Sequence, residues 1–152
     1  MNARTNKNGF TIIEVVLVLA IAALIFLMIF VALPALQRGQ ANTARKNDMS
    51  TIASAVNTYR TNNNGSLPTT YAKIGSYVDK LSQVDLPTTG AIPEGADHTI
   101  AVDDSSNLDT AIIVNKARCD TDKTKTGTSR QAAVLTVVET SAGKYAVVCQ
   151  DA

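Results

Sequence analysis

Residues 9–33 read GFTIIEVVLVLAIAALIFLMIFVAL. From residue 15 to residue 33 there are nineteen consecutive positions without a polar side chain, and Ile12 and Ile13 extend the run beyond a single acid, Glu14. About 20 apolar residues rising 1.5 Å each match the roughly 30 Å hydrocarbon core of a bilayer, so the segment is long enough to span one. A helix that is apolar on every side rests only in lipid or against other apolar helices. Glu14 is then the anomaly. A carboxylate costs up to about 3 kcal/mol at full membrane depth and less near the interface, which makes an acid in this position a functional candidate by default.

On the N-terminal side of the run stand Arg4 and Lys7 with no acid. By the positive-inside tendency this flank stays in the cytoplasm and the C-terminal part is sent outward. A secretory signal needs a shorter apolar region and a small-residue cleavage site directly after it. The sequence PALQRGQ at residues 34–40 is a poor site, and no cysteine follows the run to serve a lipoprotein.

Of the 152 residues, roughly 110 are left for a soluble domain with its own core. The formal charge is +1, and without residues 1–9 it becomes −1, with 12 basic and 13 acidic side chains. Bulk charge therefore gives no sign of nucleic-acid binding. In an extracytoplasmic setting the two cysteines, Cys119 and Cys149, are expected to pair. The bridge would close a loop of about 30 residues, worth roughly 3 to 4 kcal/mol in the chain-entropy account.

Pro34 and Gly39 follow the apolar run, and either can loosen a helix, the one by removing a hydrogen bond and the other by adding backbone freedom. A helical pattern resumes beyond them. Ala41, Ala44, Met49, Ile52, Val56 and Tyr59 recur at steps of three to five, with Arg45, Asp48, Asn57 and Arg60 between them, which predicts an amphipathic helix ended by residues 62–65, NNNG. One helix over residues 10–61 would be about 78 Å long, so its apolar half would project from a small domain.

Residues 66–97 read as a connecting region, with TTYAKIGSYVDKLSQV as the best short helix or turn. Beyond it the period alternates in HTIAVDD, TAIIVNKARC, AAVLTVVET and KYAVVCQ, the last two forming a hairpin around Ser141, Ala142 and Gly143. The expected fold class is α+β: a lollipop with one long N-terminal helix, its apolar half protruding and its amphipathic half packed on an antiparallel sheet of three or four strands. The polar stretch DTDKTKTGTSR, residues 120–130, is expected to form a tip tethered by the cysteine bridge.

Gly9, Phe10, Thr11, Ile12, Ile13 and Glu14, with the apolar run after them, resemble the N-terminus of type IV pilins and related pseudopilins. The resemblance covers about the first 60 residues. It implies a leader over residues 1–9, a transmembrane and filament-core half-helix over 10–36, and an extracytoplasmic head over 37–152. It also implies a membrane prepilin peptidase that cuts between Gly9 and Phe10 and methylates the new amine of Phe10. Thr11 and Glu14 are the family's partners for that amine, the Glu14 carboxylate reaching the N-terminus of an adjacent subunit. The implied partners are identical subunits in a helical filament, the peptidase, the inner-membrane pilus assembly machinery, and the membrane before assembly. DNA or a cell surface is a further possible partner of the head.

The implied function is that of a structural pilus subunit serving adhesion, motility or DNA uptake. A major pseudopilin of a type II secretion system and a signal-anchored extracytoplasmic binding domain are the alternatives. Two departures from the family pattern bear on the helix. Pro34 falls later than the family's usual proline, and Ala23 stands where a glycine is often found, so filament loosening is expected at residues 34–39.

Other motifs carry less. LPTTG at residues 86–90 matches a sortase signal, but mostly soluble sequence follows it, and a second LPTT at residues 67–70 shows that the string is cheap in this composition. Asp103, Asp104 and Asp109 lie in an oxygen-rich stretch that is a calcium candidate without EF-hand spacing. The sequon Asn64, Gly65, Ser66 is also accounted for by a helix terminus. Lys116, Arg118, Lys123, Lys125 and Arg130 form a candidate basic patch for DNA, diluted by Asp120 and Asp122. The one histidine, His98, has no motif around it that supplies a nucleophile or partner, and the cysteines lack CxxC spacing. Catalysis, a cofactor and a firmly bound metal are not expected.

Overall fold

The computed structural model describes residues 9–78, 80–102 and 105–152. Its elements in chain order are α1 (Ile12–Asn62), α2 (Tyr71–Ile74), a short 3-10 turn (Ser105–Asn107), β1 (Ala111–Asn115), β2 (Ala117–Asp120), β3 (Lys123–Thr126), β4 (Ala132–Ser141) and β5 (Lys144–Asp151). Two compact units divide between Arg38 and Gly39.

In the N-terminal unit every large apolar side chain from Phe10 to Leu36 is exposed. No residue of its most apolar eighteen-residue window is buried, and the helix is long and apolar enough to cross a membrane. Pro34 lies inside α1 without ending it. A proline withholds one N–H and crowds the preceding turn, but Ala32, Leu33, Ala35 and Leu36 around it are favourable helix residues. The helix also continues through Gly39, whose carbonyl accepts a bond from the Thr43 hydroxyl at 2.9 Å. In the single chain α1 is thus unbroken across residues 34–39, and the loosening expected there concerns the filament.

In the C-terminal unit α1 buries Met49, Ile52, Ala53, Ala55 and Val56 against Tyr71, Ile74, Val84 and Ile92 and one face of the sheet, Ala111, Ile113, Ala132 and Val134. Full burial of a side chain such as Ile52 or Val56 contributes about 1.5 to 3 kcal/mol. The buried stripe differs from the expected one. Ala41 and Ala44 are only half-buried, whereas Arg45 and Asp48, expected on the polar side, are buried. Each has bonds that offset its desolvation. Arg45 donates from Nε to Leu108 O at 2.9 Å and pairs with Asp109 at 3.6 Å. The Asp48 carboxylate accepts the backbone N–H groups of Ser82, Gln83 and Val84 at 2.9, 2.6 and 3.1 Å, and the Ser82 hydroxyl at 3.0 Å.

The helix ends as its NNNG run predicts. Asn64 and Gly65 adopt φ of 54° and 84°, and the Gly65 N–H reaches back to Arg60 O at 2.8 Å in a Schellman closure.

The main sheet has three antiparallel strands in the order β1-β4-β5, and β2 and β3 form a separate two-stranded hairpin. Ser141 pairs with Lys144 across the expected β4–β5 hairpin. The run TAIIVNKARC is not one strand. Lys116 turns to φ 52° and splits it, a conformation disfavoured for lysine. It is held there by the Lys116 ammonium on Glu94 at 2.5 Å and by the Gly127 N–H on Lys116 O at 2.7 Å.

The stretch HTIAVDD also departs from expectation: residues 97–102 form no regular strand, and Asp103 and Asp104 lie outside the described residues. Asp97 and His98 instead bracket Thr124 through backbone bonds of 2.8 and 3.0 Å. The expected polar tip contains β3, paired with β2 from Asp120↔Lys123 to Ala117↔Thr126.

These pieces cover the second face of the sheet. Ile100, Val114, Ala117, Ala133, Leu135 and Val137 form a second core, flanked by Val102, Leu108, Tyr145 and the two cysteines. Strand β4 is therefore buried on both faces from Ala132 to Val138, which explains why AAVLTVV reads as a continuous apolar run and not as a clean alternation. Cys119 and Cys149 are bonded, with Cα atoms 5.6 Å apart, and tie the β2–β3 hairpin to β5.

Candidate functional site

Thr11 precedes the first helical residue and Glu14 is the third residue of the helix. The Glu14 Oε2 atom accepts the Thr11 backbone N–H at 2.8 Å and the Thr11 hydroxyl at 2.8 Å. In return the Thr11 Oγ1 atom accepts the Glu14 N–H at 3.4 Å. This is a capping box, in which a threonine and a glutamate three residues on satisfy each other's backbone donors. Its sequence signal, Thr followed by Glu three residues later ahead of an apolar run, is present in TIIE but is easily passed over beside the apolar run itself. The carboxylate is further favoured by the positive end of the helix dipole.

The box has two chemical consequences. It fixes where Glu14 points, since one oxygen is held by two donors from the same residue. It also leaves Oε1 free of any bond among the described residues, so a cation can be accepted without dismantling the cap. Phe10, directly before the box, is 89% exposed, and among the described residues nothing lies within 4 Å of a Cβ placed on Gly9. All the atoms of the box belong to Thr11 and Glu14, on the C-terminal side of the Gly9–Phe10 peptide.

Other sequence-marked residues are placed apart from this site. The candidate basic patch is largely neutralised: Lys116 pairs with Glu94 at 2.5 Å, Lys123 with Asp97 at 3.0 Å and Lys125 with Asp120 at 3.0 Å. The Asp97 carboxylate beside Lys123 raises that ammonium's pKa above its ordinary value. Of the calcium candidates, Asp103 and Asp104 lie outside the described residues, and Asp109 is engaged with Arg45. Among the described residues no group of three His, Cys, Asp or Glu could hold a metal. His98 Nε2 lies 3.1 Å from Glu94 O.

The profile of the prokaryotic N-terminal methylation motif matches residues 4–30, the type IV prepilin-like signature. It includes Gly9, Phe10, Thr11 and Glu14 and most of the exposed apolar run. No curated protein and no solved structure matches the chain.

Proposed function

We propose that the chain is a structural subunit, the major pilin, of a type IV pilus. On this proposal the peptidase removes residues 1–9 by cutting between Gly9 and Phe10, methylates the Phe10 amine and leaves residues 10–36 as the membrane and filament-core segment. The head, residues 37–152, faces the outside of the cell before assembly and the surface of the filament after it. The observation that carries the proposal is the pairing of the methylation motif with an apolar half-helix whose large side chains are all exposed. Such a surface needs lipid or copies of itself.

Assembly follows from charge. The Phe10 amine exists only after cleavage, and the free Oε1 of Glu14 accepts it from the next subunit. An acid in an apolar setting loses hydration, and pairing with a cation offsets that cost. Because one subunit supplies the acid and the next the amine, the contact is heterologous and propagates as a helix of subunits. Pro34 and Gly39 are where α1 would yield if packing demanded it, and a filament map with unbroken helix across residues 34–39 would exclude that.

Mass spectrometry of the protein from its native cell tests the proposal. A mature chain beginning at N-methylated Phe10 is expected, and an intact leader on the mature protein contradicts it.

A further inference from the structure

We infer that the head carries an oxyanion-binding site formed by Arg60 and Arg130, which takes a tetrahedral phosphate-type group. The site lies where the last turn of α1 meets the chain just ahead of β4. A cavity of about 410 Å³ is lined there by Arg60, Thr61, Gly65 and Arg130. Arg60 donates from Nη1 to the Arg130 carbonyl at 2.6 Å and from Nη2 to Asn57 Oδ1 at 2.5 Å. The Arg130 guanidinium lies over Gly65, 3.5 Å from where a Cβ on that residue would stand. Gly65, at φ 84°, provides that space and is held by its bond to Arg60 O at 2.8 Å.

Two full positive charges therefore converge on one cavity, and among the described residues neither has a carboxylate partner. This contrasts with Arg45, Lys116, Lys123 and Lys125, each of which is paired with an acid. The oxygens that hold Arg60 are neutral, so they orient its guanidinium without cancelling its charge. The C-terminal end of α1 favours cations, which explains the seat of Arg60 but offsets only part of two charges. The Arg130 guanidinium, with five N–H donors, makes no hydrogen bond to another group among the described residues. A planar carboxylate is satisfied by one guanidinium fork. Two guanidinium groups from separate elements, the Arg130 fork and the N–H donors of Arg60 not given to Arg130 O and Asn57 Oδ1, suit an ion with oxygens facing several directions, which is the case for phosphate. This inference does not depend on filament assembly.

The test is an NMR titration of the full chain in detergent micelles with inorganic phosphate at constant ionic strength, chloride being the balancing ion. Saturable shifts of the Arg60 and Arg130 side-chain N–H resonances and of the Gly65 amide are expected, with affinity in the millimolar range. Arg130→Gln should weaken binding about tenfold. Arg130→Lys, which keeps the charge but loses the fork, should fall between, and Lys144→Gln, a substitution at an exposed lysine outside the cavity, should not change it. A parallel titration with dimethyl phosphate separates the sources: comparable binding assigns the site to a phosphodiester, and binding of inorganic phosphate alone assigns it to the free ion or a monoester. Shifts that do not saturate, or equal affinity in wild type and Arg130→Gln, would overturn the inference.

Discussion

The hydroxyl of Tyr71 stands against the backbone of Ile113, donating to its carbonyl at 3.4 Å and accepting from its N–H at 3.3 Å. One side chain thus takes the place of a neighbouring strand on the outer edge of β1. The backbone groups on either side of it are also satisfied: Ala111 N–H bonds to Asp85 O at 3.1 Å, and Asn115 N–H bonds to Pro93 O at 2.8 Å. An open sheet edge invites pairing with other chains, and here most of its groups are already taken.

Tyr71→Phe should therefore destabilise the head by about 1 to 3 kcal/mol, because two buried backbone groups lose their partner. Burial raises the Tyr71 phenol pKa above its ordinary value of 10.0. The unfolded chain then ionises first as pH rises, so the stabilisation is fully present below about pH 10 and is lost as pH climbs from there through the raised folded value. Denaturant titrations across that range should show a shallower alkaline decline in Tyr71→Phe than in wild type; an unchanged decline would remove Tyr71 from the account.

Asp48→Ala should cost about 3 kcal/mol or more, since three backbone N–H groups and one hydroxyl lose a charged acceptor in a site where Asp48 is only 6% exposed. Hydrogen exchange of the Ser82, Gln83 and Val84 amides should quicken beyond what global destabilisation explains. Asp48→Asn should retain part of the protection.

Gly127→Ala places a Cβ 2.8 Å from the Ala117 carbonyl carbon and 2.9 Å from its oxygen. Both are backbone atoms and cannot swing aside, so a loss of about 1 to 3 kcal/mol is expected from thermal or denaturant unfolding. Gly39→Ala, with nothing within 4 Å, should be neutral or stabilising by the same measurement.

Glu14 has two roles that substitutions can separate. Glu14→Gln keeps an oxygen for the cap but loses the charge, whereas Thr11→Val loses the capping hydroxyl and keeps the acid. If the charge sets assembly, Glu14→Gln should be processed and membrane-held yet give few filaments, as should Glu14→Ala. Thr11→Val should lose only the cap, about 0.5 to 2 kcal/mol of helix-end stability, and retain more filament. Normal filament yield from Glu14→Gln in a sheared-fibre assay would contradict the proposed contact.

Removal of the Cys119–Cys149 bridge, which spans 30 residues, should cost roughly 3 to 4 kcal/mol of head stability. Because the bridge ties the β2–β3 hairpin to β5, amide exchange should rise first in residues 117–126 of the reduced protein.

By itself the sequence determined what depends on near neighbours. The apolar run, Thr11 and Glu14 three residues apart, the helix end at NNNG and the β4–β5 hairpin are all local patterns, and each is found where its residues stand. What the tertiary structure alone decided involves partners far along the chain. Arg45 and Asp48 look like solvent-facing charges until Leu108, 63 residues away, and Ser82, 34 away, supply their bonds. The split at Lys116 depends on Glu94 and Gly127, and the largely occupied edge of β1 on a tyrosine 42 residues upstream. The physical reason is common to all three. A buried polar group, a left-handed lysine or a bare strand edge is unfavourable in isolation, and only the folded chain brings up the group that compensates it.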